Sequence, residues 1–589
     1  MRILILTHSF NSLAQRLHSE LRLRGHELAV ELDIADSVAE EAVALFAPDL
    51  VLAPFLKRAI PESIWSRLPC LVVHPGIIGD RGPSALDWAI RDGERDWGVT
   101  VLQAEAAMDA GPVWAQARFP MRPAAKASLY RQEVTEAACA AVLEAVGRFD
   151  EWRAGRWQSR LPGEMEAAPR GRLRPLMRQE DRAIHWQRDD TATVLAKLRA
   201  ADGFPGVRDA LFGHACHLYD AWPEERLRGS PGEIIGRRET ALLRATTDGA
   251  VWIGHAKRAD AEVAVKLPAT VAFAAEAAAL PDLPLPGWWA ADHATWQDIR
   301  YEEAGGVGFL HFDFYNGAMG TAQCRRLQAA FEWARTRPTR VVVLAGGRDF
   351  WSNGIHLNLI EAAADDADSP ADASWANINA MDDLAEALLR CDDRLTVAAL
   401  GGNAGAGGCF LARAADLVWV RNGVVLNPHY RNMGNLYGSE FWTYLLPPRV
   451  GADGARRIMR NRLPMLAREA VACGFYDACL AGEPVAFRVD VARRSAELAA
   501  ADDLPRRLQA KRAQRAADEA AKPLAAWRAE ELAEMRRNFY GFDPSYHVAR
   551  WHFVRKSPHS WTPRHLAPHR EPRAGATAAP TVPPLEAAA

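Results

Sequence analysis

The chain has 589 residues, 49% of them hydrophobic and 25% charged, with a formal charge of −3. That length exceeds what one core can serve and divides into about three to four globular domains. The near-neutral charge gives no electrostatic footing for nucleic acid or an anionic membrane, so neither is expected as a partner.

Cysteines at 70, 139, 216, 324, 391, 409, 473 and 479 include no CxxC pair, which argues against a zinc site or a disulfide framework. No metal is expected. The opening run Met1-Arg2-Ile3-Leu4-Ile5-Leu6 is too short, and too soon followed by polar residues, to be a signal peptide. No stretch approaches the roughly 20 apolar residues of a membrane span, so a cytoplasmic protein is expected. The tryptophans are dispersed and suit packing within cores and between domains.

Residues 2–6, 28–32 and 49–53 read as short buried strands separated by helical stretches such as Leu13 to Leu23. This βαβ rhythm predicts a parallel sheet with ligands at the carboxyl ends of its strands. At such a place stands Val72-Val73-His74-Pro75-Gly76, followed by the strand-like Gly98 to Gln103 and by Met108-Asp109-Ala110-Gly111. Taken singly, His before Pro-Gly and Asp before Ala-Gly are turn formers. Together they offer a histidine beside a carboxylate, which can deprotonate a nucleophile and steady an oxyanion. Gln103, closing the strand, is a cofactor-binding candidate.

In their order these three segments resemble the 10-formyltetrahydrofolate-dependent formyltransferases, with their N-x-H-G-S-L-L-P run, G-V-T strand and D-x-G turn. The resemblance carries the family's catalytic His and Asp onto His74 and Asp109. The family's asparagine, two before the histidine, is Val72 here, so the donor or the acceptor is arranged differently. Gln179 to Trp186, followed by Gly203-Phe204-Pro205-Gly206, resembles the linker and small C-terminal barrel of methionyl-tRNA formyltransferase. Stretches 232–236, 241–245, 250–253 and 262–266 are the expected strands of that barrel. No basic, aromatic-laced surface accompanies them, so the barrel reads as a spacer or channel wall. Pro281 to Pro286, with three prolines, reads as a linker.

The second half alternates strand and helix around two glycine loops. Val307 to Phe312, Arg340 to Ala345 and residues 395–400 read as strands. Asp349 to Ile355 follows the second strand, and Gly401 to Phe410 follows the third and opens a helix. This order resembles the crotonase fold of enoyl-CoA hydratases, in which two backbone N–H groups hold a thioester carbonyl. The resemblance places those donors at Ile355 and Gly407, with Gly354 and Gly408 beside the ligand. Phe410 and His429 stand where hydratases carry their two glutamates, so a thioester cradle without hydration chemistry is expected. Arg506 to Arg537 reads as a charged, amphipathic helical segment. The Ala- and Pro-rich end from about Ala567 reads as disordered.

Two long runs, Val73 to Ser84 and Leu436 to Pro447, closely resemble the HypX (HoxX) hydrogenase maturation proteins, as does the fusion of formyltransferase and crotonase halves. The expected architecture is therefore α/β and multidomain. It comprises a Rossmann-like formyltransferase domain (1–165), a small β-barrel (166–275), a linker (276–295), a crotonase-fold domain with a helical C-terminal segment (296–546), and an extension (547–589). The resemblance implies transfer of formyl from 10-formyltetrahydrofolate to coenzyme A, then decarbonylation of formyl-CoA by Tyr430 and Glu440. The carbon monoxide would become a ligand of the iron in NiFe hydrogenase. Partners implied are other hydrogenase maturation proteins or the hydrogenase large subunit. Rival readings are a formyl-CoA hydrolase fused to a formyltransferase, and a non-catalytic sensor of CoA and folate.

Overall fold

The computed structural model describes residues 1–165, 169–363 and 369–571. Aliphatic strands Arg2–Thr7, Glu27–Leu32, Leu50–Phe55 and Cys70–His74 pair in parallel, joined through helices Ser12–Leu23 and Asp36–Phe46. The sheet is not parallel throughout, as the βαβ rhythm predicted. Asp96–Gln103 and Val113–Pro120 extend it antiparallel, because the short connection between them forms a hairpin rather than a crossover. His74 ends the last parallel strand and so faces the carboxyl edge, where open α/β sheets bind ligands.

The middle sheet runs in the order Val207–Leu211, His214–Glu224, Ala250–Arg258, Ala241–Ala245, Ile234–Arg238, with Leu267–Pro268 beside Ala250–Arg258. Its described pairings leave the two ends unjoined. Residues 262–266 form no strand: Val263 and Val265 are buried against Val554 of the C-terminal helix. The Pro-rich segment is anchored to this sheet, since Leu283 N–H donates to the Arg237 carbonyl at 2.8 Å.

The third sheet is ordered Ile299–Ala304, Val307–Phe312, Val341–Ala345, Leu395–Leu400, Leu417–Arg421, Ala478–Leu480, and is parallel after its first pair. A smaller sheet of Phe350–Ser352, Asn403–Gly405, Val425–Asn427 and Met465–Leu466 lies alongside. Both glycine loops fall where the chain passes from the large sheet into the small one. Helices Thr321–Arg335, Pro370–Leu389 and Gly407–Arg413 bury their apolar faces in the same core.

The trailing segment is two helices, Leu504–Ala521 and Leu524–Tyr540, separated at Pro523, whose missing N–H breaks the ladder. Beyond helix Ser545–Arg555, the chain returns to the first sheet. Val30 N–H donates to the Leu566 carbonyl and Leu32 N–H to Thr562 Oγ1, both at 2.8 Å. Buried Glu31 receives Thr562, His569 and Arg570. Order therefore extends past Ala567, which is fully buried, to Glu571. The remainder of the predicted disordered tail lies outside the described residues.

Candidate functional site

His74 is clamped at both ring nitrogens. Nε2 lies 3.0 Å from Asp80 Oδ1, and Nδ1 lies 3.5 Å from Asp109 Oδ2. Asp109 takes φ 53°, in the left-handed region, and its carboxylate accepts the Gly82 N–H at 3.1 Å. Thr100 Oγ1 donates to the Gly76 carbonyl at 2.8 Å, and Trp97 Nε1 to the Pro75 carbonyl at 2.9 Å, so the antiparallel strand fixes the turn behind the imidazole. A Cβ at Gly76 would collide with the His74 ring and Asp80, which explains the glycine there.

Asp80, the nearer carboxylate, has no signal in the sequence beyond following a Gly. Its second oxygen lies 3.5 Å from Arg174 Nε. Val72, two residues before His74, lines the same space and offers no hydrogen-bond donor. Gln103 also lines it, but its side-chain oxygen accepts from Trp114 Nε1 at 3.2 Å.

In the crotonase-like half, Ile355 follows Gly354, whose φ of 81° turns the chain, and Gly407 opens the helix Gly407–Arg413. Among the described residues, neither Ile355 N–H nor Gly407 N–H donates to a protein acceptor. Both residues line a cavity, and the Cβ direction of Gly354 points to within 3.7 Å of the Gly407 nitrogen. Both amides are thus without a protein acceptor, as the oxyanion donors expected from the crotonase resemblance must be. Gly408 serves packing, because a Cβ there would strike Ser352, while its carbonyl accepts Trp351 Nε1 at 2.9 Å.

Tyr430 Oη donates to Glu440 Oε2 at 2.6 Å and to the Ser439 carbonyl at 3.1 Å. The Glu440 carboxyl lies directly over Gly407, where any Cβ would collide with it. Burial pushes the Glu440 carboxyl well above its ordinary range, and the nearby Asp382 carboxylate adds repulsion. Burial also raises the Tyr430 phenol, reinforced by Glu440, so the surroundings favour the protonated form of both groups. Phe410 fills the space beside them and is completely buried.

Two further carboxylates, which the sequence analysis passed over, hold this turn. Asp382 Oδ1 accepts Glu440 N–H at 2.9 Å and Ser439 Oγ at 2.7 Å. Glu531 accepts Phe441 N–H at 2.9 Å and Thr443 N–H at 2.8 Å. Their support is needed because Glu440 and Phe441 are consecutive left-handed residues, at φ 58° and 60°.

The two constellations face one continuous cavity of about 2070 Å³. His74 and Asp109 line one part, and Ile355, Gly407, Tyr430 and Glu440 line another. Between them a five-residue π-helical turn, Tyr130–Val134, presents Tyr130 and Arg131 to the cavity. Lys266, also on the wall, has its ammonium 4.1 Å from the Tyr219 ring centroid, and burial lowers it to about 8.

The formyl transferase family matches residues 1–146, the formyl transferase C-terminal domain 176–265, and the enoyl-CoA hydratase/isomerase family 315–532. The hydrogenase maturation factor HoxX of Bradyrhizobium diazoefficiens is 55% identical over 575 residues, covering 98% of each chain. This chain belongs to the HypX/HoxX family of hydrogenase maturation factors. HypX from Aquifex aeolicus, solved in complex with tetrahydrofolic acid, is 46% identical with a TM-score of 0.92, over 97% of this chain and 99% of that one. Methionyl-tRNA formyltransferase of Dechloromonas aromatica is 23% identical over 238 residues, covering 40% of this chain and 74% of its own. The HypX/HoxX fold thus joins the formyltransferase and crotonase-like parts in one α/β multidomain chain. No helix among the described residues is long and apolar enough to cross a membrane.

Proposed function

We propose that this HypX/HoxX protein transfers a formyl group from 10-formyltetrahydrofolate to the thiol of coenzyme A at His74. It then decarbonylates the formyl thioester at Tyr430 and Glu440. The observation that carries this reading is the single cavity that both sites line, which gives a thioester made at one a path to the other. The cavity wall fits a long polyanion, with Lys57, Lys126, Arg131, Lys266 and Lys556 on it. The complex of the Aquifex aeolicus relative with tetrahydrofolic acid supports a folate at the His74 end.

His74, oriented by Asp80 and Asp109, takes the thiol proton and stabilises the oxyanion that forms on the formyl carbon. That proton leaves with the folate nitrogen when the C–N bond breaks. At the second site, the Ile355 and Gly407 amides hold the thioester oxygen, an arrangement worth on the order of 10²–10³ in rate per donor. Glu440, kept protonated by its surroundings, delivers its proton to the departing sulfur. The formyl proton then refills the pair through the Tyr430–Glu440 hydrogen bond. The C–H and C–S bonds break, an S–H bond forms, and carbon monoxide leaves. Phe410 and His429, in place of the hydratase glutamates, leave no carboxylate pair to add water across a double bond.

The test is carbon monoxide release from purified protein given 10-formyltetrahydrofolate and CoA, with each omitted in turn. Release that needs both, and falls in Tyr430→Phe and Glu440→Gln, is the expected result. Formate with free CoA would assign a hydrolase instead.

A further inference from the structure

We propose that Asp382 is the positioning residue of the second site, holding the Glu440 turn over Gly407 with its hydrogen bonds and placing negative charge beside the Glu440 carboxyl; this rests on the decarbonylation reading above. Asp382 lies on the core helix Pro370–Leu389 and is 1% exposed. One oxygen, Oδ1, accepts both the Glu440 N–H and the Ser439 hydroxyl. The other, Oδ2, is buried and has no hydrogen-bond partner among the described residues.

An asparagine would satisfy the same two donors through its single carbonyl oxygen, without the cost of burying a carboxylate. The turn alone therefore does not explain an acid here. An ion pair supplies only part of the reason. The nearest cation, Arg528 on the helix Leu524–Tyr540, has its Nε 3.8 Å from Oδ2, and commits its Nη1 to Asp383 at 2.7 Å and Glu386 at 3.1 Å.

What the second oxygen does provide is negative charge beside Glu440. The groups facing this spot are Glu440 and Tyr430 from the active-site turn, Glu531 and Arg528 from the trailing helix, and Asp383 and Glu386 on Asp382's own helix. Burial raises Asp382 only to about 6, whereas Glu440 is driven far higher, partly by Asp382 itself. With two donors on Asp382 and the Tyr430 hydroxyl on Glu440, the arrangement favours Asp382 as the ionised member and Glu440 as the protonated one. Environments that push two carboxylates apart in this way assign an acid and its supporting base. Glu531 completes the frame by fixing Phe441 and Thr443, and both of its oxygens are engaged there, so geometry alone accounts for an acid side chain at this position.

The experiment supplies formyl-CoA directly and follows thiol release, with carbon monoxide and formate measured separately, across pH 5.5–9.5 for wild type, Asp382→Asn and Ser439→Ala. Asp382→Asn keeps both hydrogen bonds, so KM should hold. Its kcat at pH 8 should fall about 10- to 100-fold, the usual worth of a tuned acid. The alkaline limb of its profile should move down by about one pH unit or more, as Glu440 loses its repelling neighbour. Ser439→Ala, which loses a hydrogen bond but no charge, should lower the rate without moving the limb. An Asp382→Asn profile that overlays wild type would overturn the proposal and leave Asp382 as a peg for the turn. Thiol release accompanied by formate rather than carbon monoxide would sink the decarbonylation reading, while the pH shift would still support Asp382's role.

Discussion

The ring of Phe410 lies flat against that of Tyr430, with centroids 5.9 Å apart and planes 10° from parallel. The residue that replaces a hydratase glutamate thus does more than delete a carboxylate. It sets the plane of the phenol whose oxygen binds Glu440, and Phe475 backs it from the other side at 5.7 Å.

Phe410→Ala is expected to reduce carbon monoxide release about 10- to 100-fold, because a misplaced catalytic group costs that much. The opened space beside the thioester should also raise the share of formyl-CoA lost as formate. Product partition between carbon monoxide and formate is the measurement. The same truncation removes a buried aromatic and should destabilise the fold by about 3–5 kcal/mol.

Gly407→Ala is expected to abolish decarbonylation while leaving folate-dependent formyl transfer intact. The new methyl would meet the Glu440 carboxyl, which must move off the oxyanion site. Formyl-CoA accumulation, followed by chromatography, distinguishes this from general unfolding.

Asp80→Asn should show the opposite pattern. With the 3.0 Å partner of His74 Nε2 neutralised, transfer from 10-formyltetrahydrofolate should drop at least about 10-fold, within the range of positioned acid–base groups. Carbon monoxide release from supplied formyl-CoA should be unchanged.

Glu531 sets a pH dependence of stability. Burial pushes it from 4.5 to about 8, so between those values the folded protein binds more protons than the unfolded chain. Stability should therefore decline as pH rises through that window. Glu531→Gln should lower stability by a constant amount, since an amide nitrogen faces the Phe441 N–H, but should flatten the slope. Urea midpoints at pH 5.5 and 8.5 for both proteins give the comparison.

The elements that carry the chemistry were largely legible. The strand at 307–312 alternates cleanly, and that at 395–400 is apolar but for Thr396 and runs into the second glycine loop. Tyr430 and Glu440, read from the family resemblance, stand in hydrogen-bond contact. Failures came where packing overrides local pattern. Val263 and Val265 alternate like a strand but find an apolar partner in Val554, far along the chain. The hairpin Val207–Leu211 and His214–Glu224 is polar enough to hide its period. Asp382 and Glu531 sit on amphipathic helices, 58 residues before Glu440 and 90 after Phe441. Only the folded chain brings them to the same turn.

The return of residues 562–570 to Glu31 bears on how this molecule is made. The helix Ser545–Arg555 contributes Phe553, Val554 and Arg555 to the cavity wall, and the segment that anchors it to the first sheet follows it in sequence. Domains emerging from the ribosome fold in order. The first sheet can therefore form early, with the backbone of Val30 and Leu32 still open along its edge. The cavity wall is incomplete until residues 553–570 have folded back, so a chain cut before them would carry every proposed catalytic side chain beside an unfinished wall.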